Sequence, residues 1–149
     1  MNQASNKLLS PDVLIEQLVA IEDNRYRWLD EQVPLPSRER DELNELIDRY
    51  IEALLSLIKE SRRSLQSSDQ LPYVIMNCIV DVELLNRQRR QSFRILPFYE
   101  GKVSSGDISI LSPVGRSLLL QENGALVSVP APSGELLFQI RSISMHHPG

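Results

Sequence analysis

The 149-residue chain has one cysteine, two histidines and one tryptophan, and aromatics make up only 5% of it. Each scarcity excludes something. Cys78 has no second cysteine to pair with, so an intramolecular disulfide and a zinc-holding cysteine pair are both ruled out. That usage fits a reducing compartment, and a cytoplasmic location is the expectation. His146 and His147 both stand in the C-terminal tail, so no Ser-His-Asp arrangement is expected in an ordered region. Without another histidine they also make a poor metal site. The six glycines form no phosphate-cradling loop. No apolar run is long enough to span a membrane, and the opening Met-Asn-Gln-Ala-Ser-Asn-Lys has no signal-peptide core. An enzyme carrying its own complete catalytic apparatus, a metal or a cofactor is therefore not expected.

What is present is ordinary globular composition, 42% hydrophobic and 24% charged. The charge is unevenly placed. Residues 1–66 carry nine Lys/Arg against thirteen Asp/Glu, and residues 67–149 carry seven of each. An acidic first half argues against nucleic-acid binding by that half.

Residues 1–9 read as a loose tail. Ser10-Pro11-Asp12 is a helix start, with an N-cap, a proline at the first helical position and an acid facing the positive end of the helix dipole. Leu14, Leu18 and Ile21 then recur at helical spacing, flanked by Ile15, Val19, Tyr26 and Leu29. Arg25 interrupts the stripe and Trp28 resumes it, to about Gln32. Two prolines in Val33-Pro34-Leu35-Pro36-Ser37 end the helix. A second helix is predicted from about Arg38 to Leu65, with Leu43, Ile47, Tyr50, Leu54 and Leu57 on its apolar face. Two such helices joined by a short turn make an antiparallel hairpin, each covering the other's stripe. On pattern alone this is a plain structural hairpin.

Ser67 to Pro72 reads as a linker. From Tyr73 the period changes to two. Met76, Cys78, Val80, Val82 and Leu84 share one face of a strand, which makes Cys78 a buried apolar side chain. Asn86 to Arg90 is the expected turn, and Phe93 and Ile95 point to the core from a second strand. Pro97 to Gly106 is a loop. Strands are then expected at 107–111, 125–129 and 135–144, with a helix at 113–120. The fold class is α+β, with a helical unit at 1–66 and a sheet domain at 73–145.

Two stretches stand out. In the first, Asp107 to Leu120, Ile108 and Ile110 occupy one face of a short strand and Ser109 the other. Ser112 is a good N-cap, Pro113 suits the first helical position, and Val114, Leu118 and Leu119 give the helix an apolar face. Local physics reads this as a capped helix in an α+β core. In the second, Arg87, Arg89 and Arg90, with Arg94 beyond, cluster where the rest of the domain is neutral. This is either a solvated hairpin tip or a docking patch that weakens with salt.

Ile108-Ser109-Ile110-Leu111-Ser112-Pro113-Val114-Gly115-Arg116-Ser117-Leu118-Leu119 resembles the signature of the C-terminal domain of the bacterial Gre-type transcription factors. The likeness runs without a gap to Ile140, through Gly124, Val127, Val129, Pro130, Pro132, Gly134-Glu135 and Phe138. The resemblance implies a short antiparallel coiled coil followed by an FKBP-like antiparallel sheet domain with one short helix. It implies docking on RNA polymerase at the rim of its secondary channel, through Ile110, Leu111, Ser112 and Pro113; the Arg87, Arg89 and Arg90 cluster, read from charge alone, is a further candidate for that contact. The hairpin tip, with Asp30 and Glu31, would enter the channel. In the cleavage members, acidic tip residues bind a second Mg²⁺ at the polymerase active site.

This chain departs from those members. Its first helix, of about 21 residues, reaches only roughly 32 Å, and its turn lacks their Asp-x-x-Glu with a following Asn and Tyr. Asp30 and Glu31 are adjacent and diverge by about 100° on a helix. In length, truncated coiled coil and Leu111 before Ser112-Pro113-Val114-Gly115, the chain is similar to the short branch called regulator of nucleoside diphosphate kinase. Arg116 instead agrees with the cleavage factors. The expected function is a polymerase-binding regulator of transcription without cleavage activity. It would compete with other channel factors, with no membrane and no sequence-specific nucleic acid among its partners. The alternatives are a Gre-type cleavage factor and an FKBP-like prolyl isomerase or chaperone. The latter needs an aromatic-lined pocket, and Tyr73, Phe93, Phe98, Tyr99 and Phe138 are too few if Phe93 and Phe138 lie in the core.

Overall fold

The computed structural model describes residues 11–63, 70–97 and 105–145. The expected tail at 1–9, most of the linker, Phe98, Tyr99 and both histidines lie outside the described residues. The described residues form two compact units, one helical and one built on a sheet.

In the helical unit, α1 (Pro11–Gln32) and α2 (Arg38–Arg63) run antiparallel around the Pro34/Pro36 turn. Leu14, Ile21 and Leu29 on α1 and Leu43, Ile47, Tyr50 and Leu54 on α2 are all buried. Each such side chain contributes about 1.5–3 kcal/mol when fully buried. Ser37 caps α2, its Oγ accepting from Arg40 N at 3.1 Å. Arg25 interrupts the apolar stripe for a reason only packing reveals. It donates to Asn44 Oδ1 at 2.8 Å and Asn44 O at 2.9 Å, and pairs with Asp48.

The second unit contains β1 (Cys78–Leu84), β2 (Arg89–Leu96), β3 (Asp107–Ser109), α3 (Pro113–Leu118), β4 (Leu126–Ala131) and β5 (Gly134–Met145). The sheet order is β3-β2-β1-β5-β4. Along β1 every second residue is buried, as the period-two pattern predicts. Cys78, Val80, Val82, Ile95, Val127, Val129, Phe138 and Ile140 form the core face, with Leu118 and Leu119 from α3 also buried. Phe93 is only half-buried, and meets Phe138 edge to face at 6.1 Å.

Several boundaries differ from expectation. Leu84 pairs with Arg89, so the turn is Leu85–Gln88, and Arg89 and Arg90 already belong to β2. The β3 strand ends at Ser109, and α3 ends at Leu118 with Leu120 held at φ 69. The sheet is also mixed rather than wholly antiparallel, because β2 and β3 pair in parallel through Arg94–Asp107, Ile95–Ile108 and Leu96–Ser109. A two-residue hairpin cannot join parallel neighbours, and ten residues separate Leu96 from Asp107 in the sequence.

Candidate functional site

The first candidate site is the turn between β3 and α3. Ser109 organises it. Its main-chain oxygen accepts from Ser112 N at 3.0 Å and from the Ser112 hydroxyl at 2.7 Å. Both bonds fold the chain back, which is why the strand stops there. The Ser112 hydroxyl also accepts from Gly115 N at 3.0 Å, the predicted cap. Ser109 is only 2% exposed. Its own hydroxyl is spent inside the turn, donating to Pro97 O at 3.2 Å and accepting from Leu111 N at 3.0 Å. The expected alternation therefore fails here. Ser109 faces inward to satisfy two main-chain groups, while Ile108 is half-buried.

Of the four predicted docking residues in the turn, the structure presents three. Pro113 is exposed, and Leu111 and Ser112 are partly so. Ile110 has no exposed surface and its N–H donates to Leu96 O at 2.8 Å, so it supports the turn from beneath and offers no contact. The base of the turn is tied to β2 by a bidentate pair. Arg94 Nε and Nη2 reach Asp107 Oδ1 and Oδ2, each at 3.0 Å, and the Asp107 side chain is only 4% exposed. Arg94 is thus committed to anchoring β3 and is not part of a free basic patch. Arg87, Arg89 and Arg90 are exposed, Arg87 on the turn and the others on β2.

The second candidate site is the hairpin tip. Asp30 pairs with Arg40 at 3.0 Å, and Arg40 also donates to Val33 O at 2.8 Å. Glu31 pairs with Arg27 at 3.4 Å, one helical turn earlier. The two carboxylates point to different arginines, as the 100° step between neighbours requires.

Cys78 is fully buried, and desolvation pushes its thiol up to about 12, which leaves it protonated and unreactive. Burial also raises the Tyr73 hydroxyl. A cavity of about 260 Å³ opens between Ile79, Phe93, Arg94 and Asp107, and Phe93 is the one aromatic among its described lining residues.

Residues 69–145 match the family model described as transcription elongation factor, GreA/GreB, C-term. This chain belongs to the GreA/GreB family. Transcription elongation factor GreA of Desulfovibrio desulfuricans is 35% identical over 108 residues, 72% of this chain and 65% of that protein. Its counterpart in Solidesulfovibrio magneticus is 32% identical over 112 residues, 75% and 66% of the two chains. The chain thus spans just under two thirds of these relatives. Among solved structures, a GreA/GreB factor from Nitrosomonas europaea is 26% identical, with TM-score 0.49 over 81% of this chain and 90% of that one.

In this Gre-family chain the matched segment holds the whole Ser109–Gly115 turn, while α1 and α2 precede it. Three contributors were missed from sequence: Ser109, the Arg94–Asp107 pair and Arg40. Ser109 gave no signal, because a serine on a short strand reads as solvent-facing. Gly115 carried one, since a glycine inside a capped helix is unfavourable unless something lies too close for a side chain.

Proposed function

We propose that this Gre-family protein docks on RNA polymerase at the rim of the secondary channel and regulates transcription in the cytoplasm without stimulating transcript cleavage. Leu111, Ser112 and Pro113 make the docking contact, and Arg87, Arg89 and Arg90 add charge. The family match over residues 69–145, which includes this rigid turn, supports the docking half. The reading as a regulator rests on one observation at the tip. Asp30 and Glu31 are held apart by Arg40 and Arg27, and neither is poised to share a metal ion with the other. Metal-assisted cleavage needs carboxylates that converge on one ion to activate water. A protein that docks without delivering such an ion competes with one that does.

The test uses the full chain, core polymerase and a backtracked transcript. The protein binds, leaves the transcript intact, and slows cleavage by an added cleavage factor. Cleavage by this protein alone, lost in Asp30→Ala/Glu31→Ala, would overturn the reading and establish the cleavage-factor alternative.

A further inference from the structure

The two clusters proposed for docking lie at opposite ends of one strand. Ser109 pairs with Leu96, the last residue of β2, and Ile110 N donates to Leu96 O at 2.8 Å. The Ser109–Pro113 turn therefore starts where β2 ends. Arg89 is the first residue of β2, and Arg87 stands on the turn before it. Because β3 runs parallel to β2, it leads the chain away from the arginines. The 8 residues of β2 make seven steps, about 23 Å at 3.3 Å per residue. Side chains couple energetically only within about 7–10 Å. The turn and the arginines are thus two separate surfaces.

The arginine end is held in shape. Arg87 N donates to Leu84 O at 3.1 Å, and Asn86 Nδ2 donates to Glu135 O at 2.9 Å, which fastens the turn to the start of β5. The acids nearby are engaged elsewhere. Glu83 stands opposite Arg90 in the register, but its carboxylate is bonded to Arg141. Glu135 accepts from Ser128 at 2.7 Å. Among the described residues none of Arg87, Arg89 and Arg90 has an ion pair. We propose that these arginines make a second contact with the polymerase, on an acidic segment of its surface well apart from the site that Ser112 and Pro113 meet. This rests on the docking reading above and gives it two points. A guanidinium fork grips a carboxylate through two parallel hydrogen bonds. Two observations favour a protein segment over a phosphate backbone. Pro130 and Pro132 are exposed on the β4–β5 hairpin at the same end of the sheet, and only a protein segment has apolar side chains to set on them. The chain's net charge of −4 also opposes its approach to a polyanion.

The test measures binding of the full chain to core polymerase, free of nucleic acid, across a range of salt. Four proteins are compared: wild type, Arg87→Gln/Arg89→Gln/Arg90→Gln, Ser112→Ala/Pro113→Ala, and the variant carrying all five changes. Circular dichroism confirms that each is folded. The arginine variant binds about tenfold more weakly at low salt and loses most of the salt dependence. The turn variant keeps that dependence. The combined variant is weaker by the product of the two factors, as independent contacts require. A photo-crosslinking benzoylphenylalanine at position 88, and in a second protein at position 113, marks two different polymerase segments, the first of them acidic. A wild-type chain that does not bind polymerase overturns the docking reading and this proposal together. If the wild type binds, three results overturn this proposal alone. These are an arginine variant that binds as tightly as wild type, a combined variant no weaker than the weaker of its parents, and crosslinks from both positions to one segment. An arginine effect that appears only on complexes carrying nucleic acid also overturns it, and makes the occupant a phosphate backbone.

Discussion

Gly115 stands directly against the main-chain carbonyl of Ser109, so that a Cβ at position 115 would lie 2.0 Å from that oxygen. Main chain cannot yield as a flexible side chain can. Gly115→Ala must therefore push α3 away from β3 and strain the Ser112 cap. The expected loss of stability is about 1–3 kcal/mol or more, as for an overpacked core. Urea unfolding measures it, and a midpoint equal to that of the wild type would refute the contact.

Ser112 serves the same turn from the other side, accepting from Gly115 N and donating to Ser109 O. Ser112→Ala should cost about 1 kcal/mol, the usual worth of an N-cap, and leave a folded protein. Pro113 is exposed and has no N–H to donate. The double variant Ser112→Ala/Pro113→Ala should bind core polymerase more weakly than its small stability loss explains. Unchanged binding by the folded double variant would remove the turn from the docking surface.

Arg87, Arg89 and Arg90 project from the Leu85–Gln88 turn and the start of β2. Exposed charges act through a field that salt screens within about 8–10 Å. If they touch the polymerase, binding weakens as salt rises, and replacing all three by Gln reduces that slope. A slope that survives the triple substitution returns them to solvated surface.

Cys78 gives a pH dependence with a definite sign. Its thiol titrates near 9.0 when exposed and is pushed to about 12 in the fold. Between these values the unfolded chain loses a proton that the folded chain keeps, so stability falls as pH rises above about 9. Below 9 both states are protonated and no dependence arises from this group. Tyr73 adds the same sign only above its ordinary value of 10.0. Denaturation between pH 8 and 10 should show the decline in wild type and its absence in Cys78→Ala. Iodoacetamide should label the thiol only in denaturant.

Local periodicity and local capping were enough to place the two helices, the Pro34/Pro36 break, the alternation of β1 and the Ser112 cap. These depend on residues a few positions apart, whose spacing the covalent chain itself sets. The Ser-Pro-Val-Gly segment was legible for the same reason. Other features bring distant residues together. Arg94 meets Asp107 across a parallel pair, Arg40 crosses the turn to Asp30, and Ser109 turns inward to serve Pro97. Ile110, which its sequence position offers for docking, is fully buried, with its N–H bonded to Leu96 O at the end of β2. Sequence determined which residues could form each element. Only the tertiary structure decided which of them are buried and which exposed, because burial depends on what the rest of the chain packs above them.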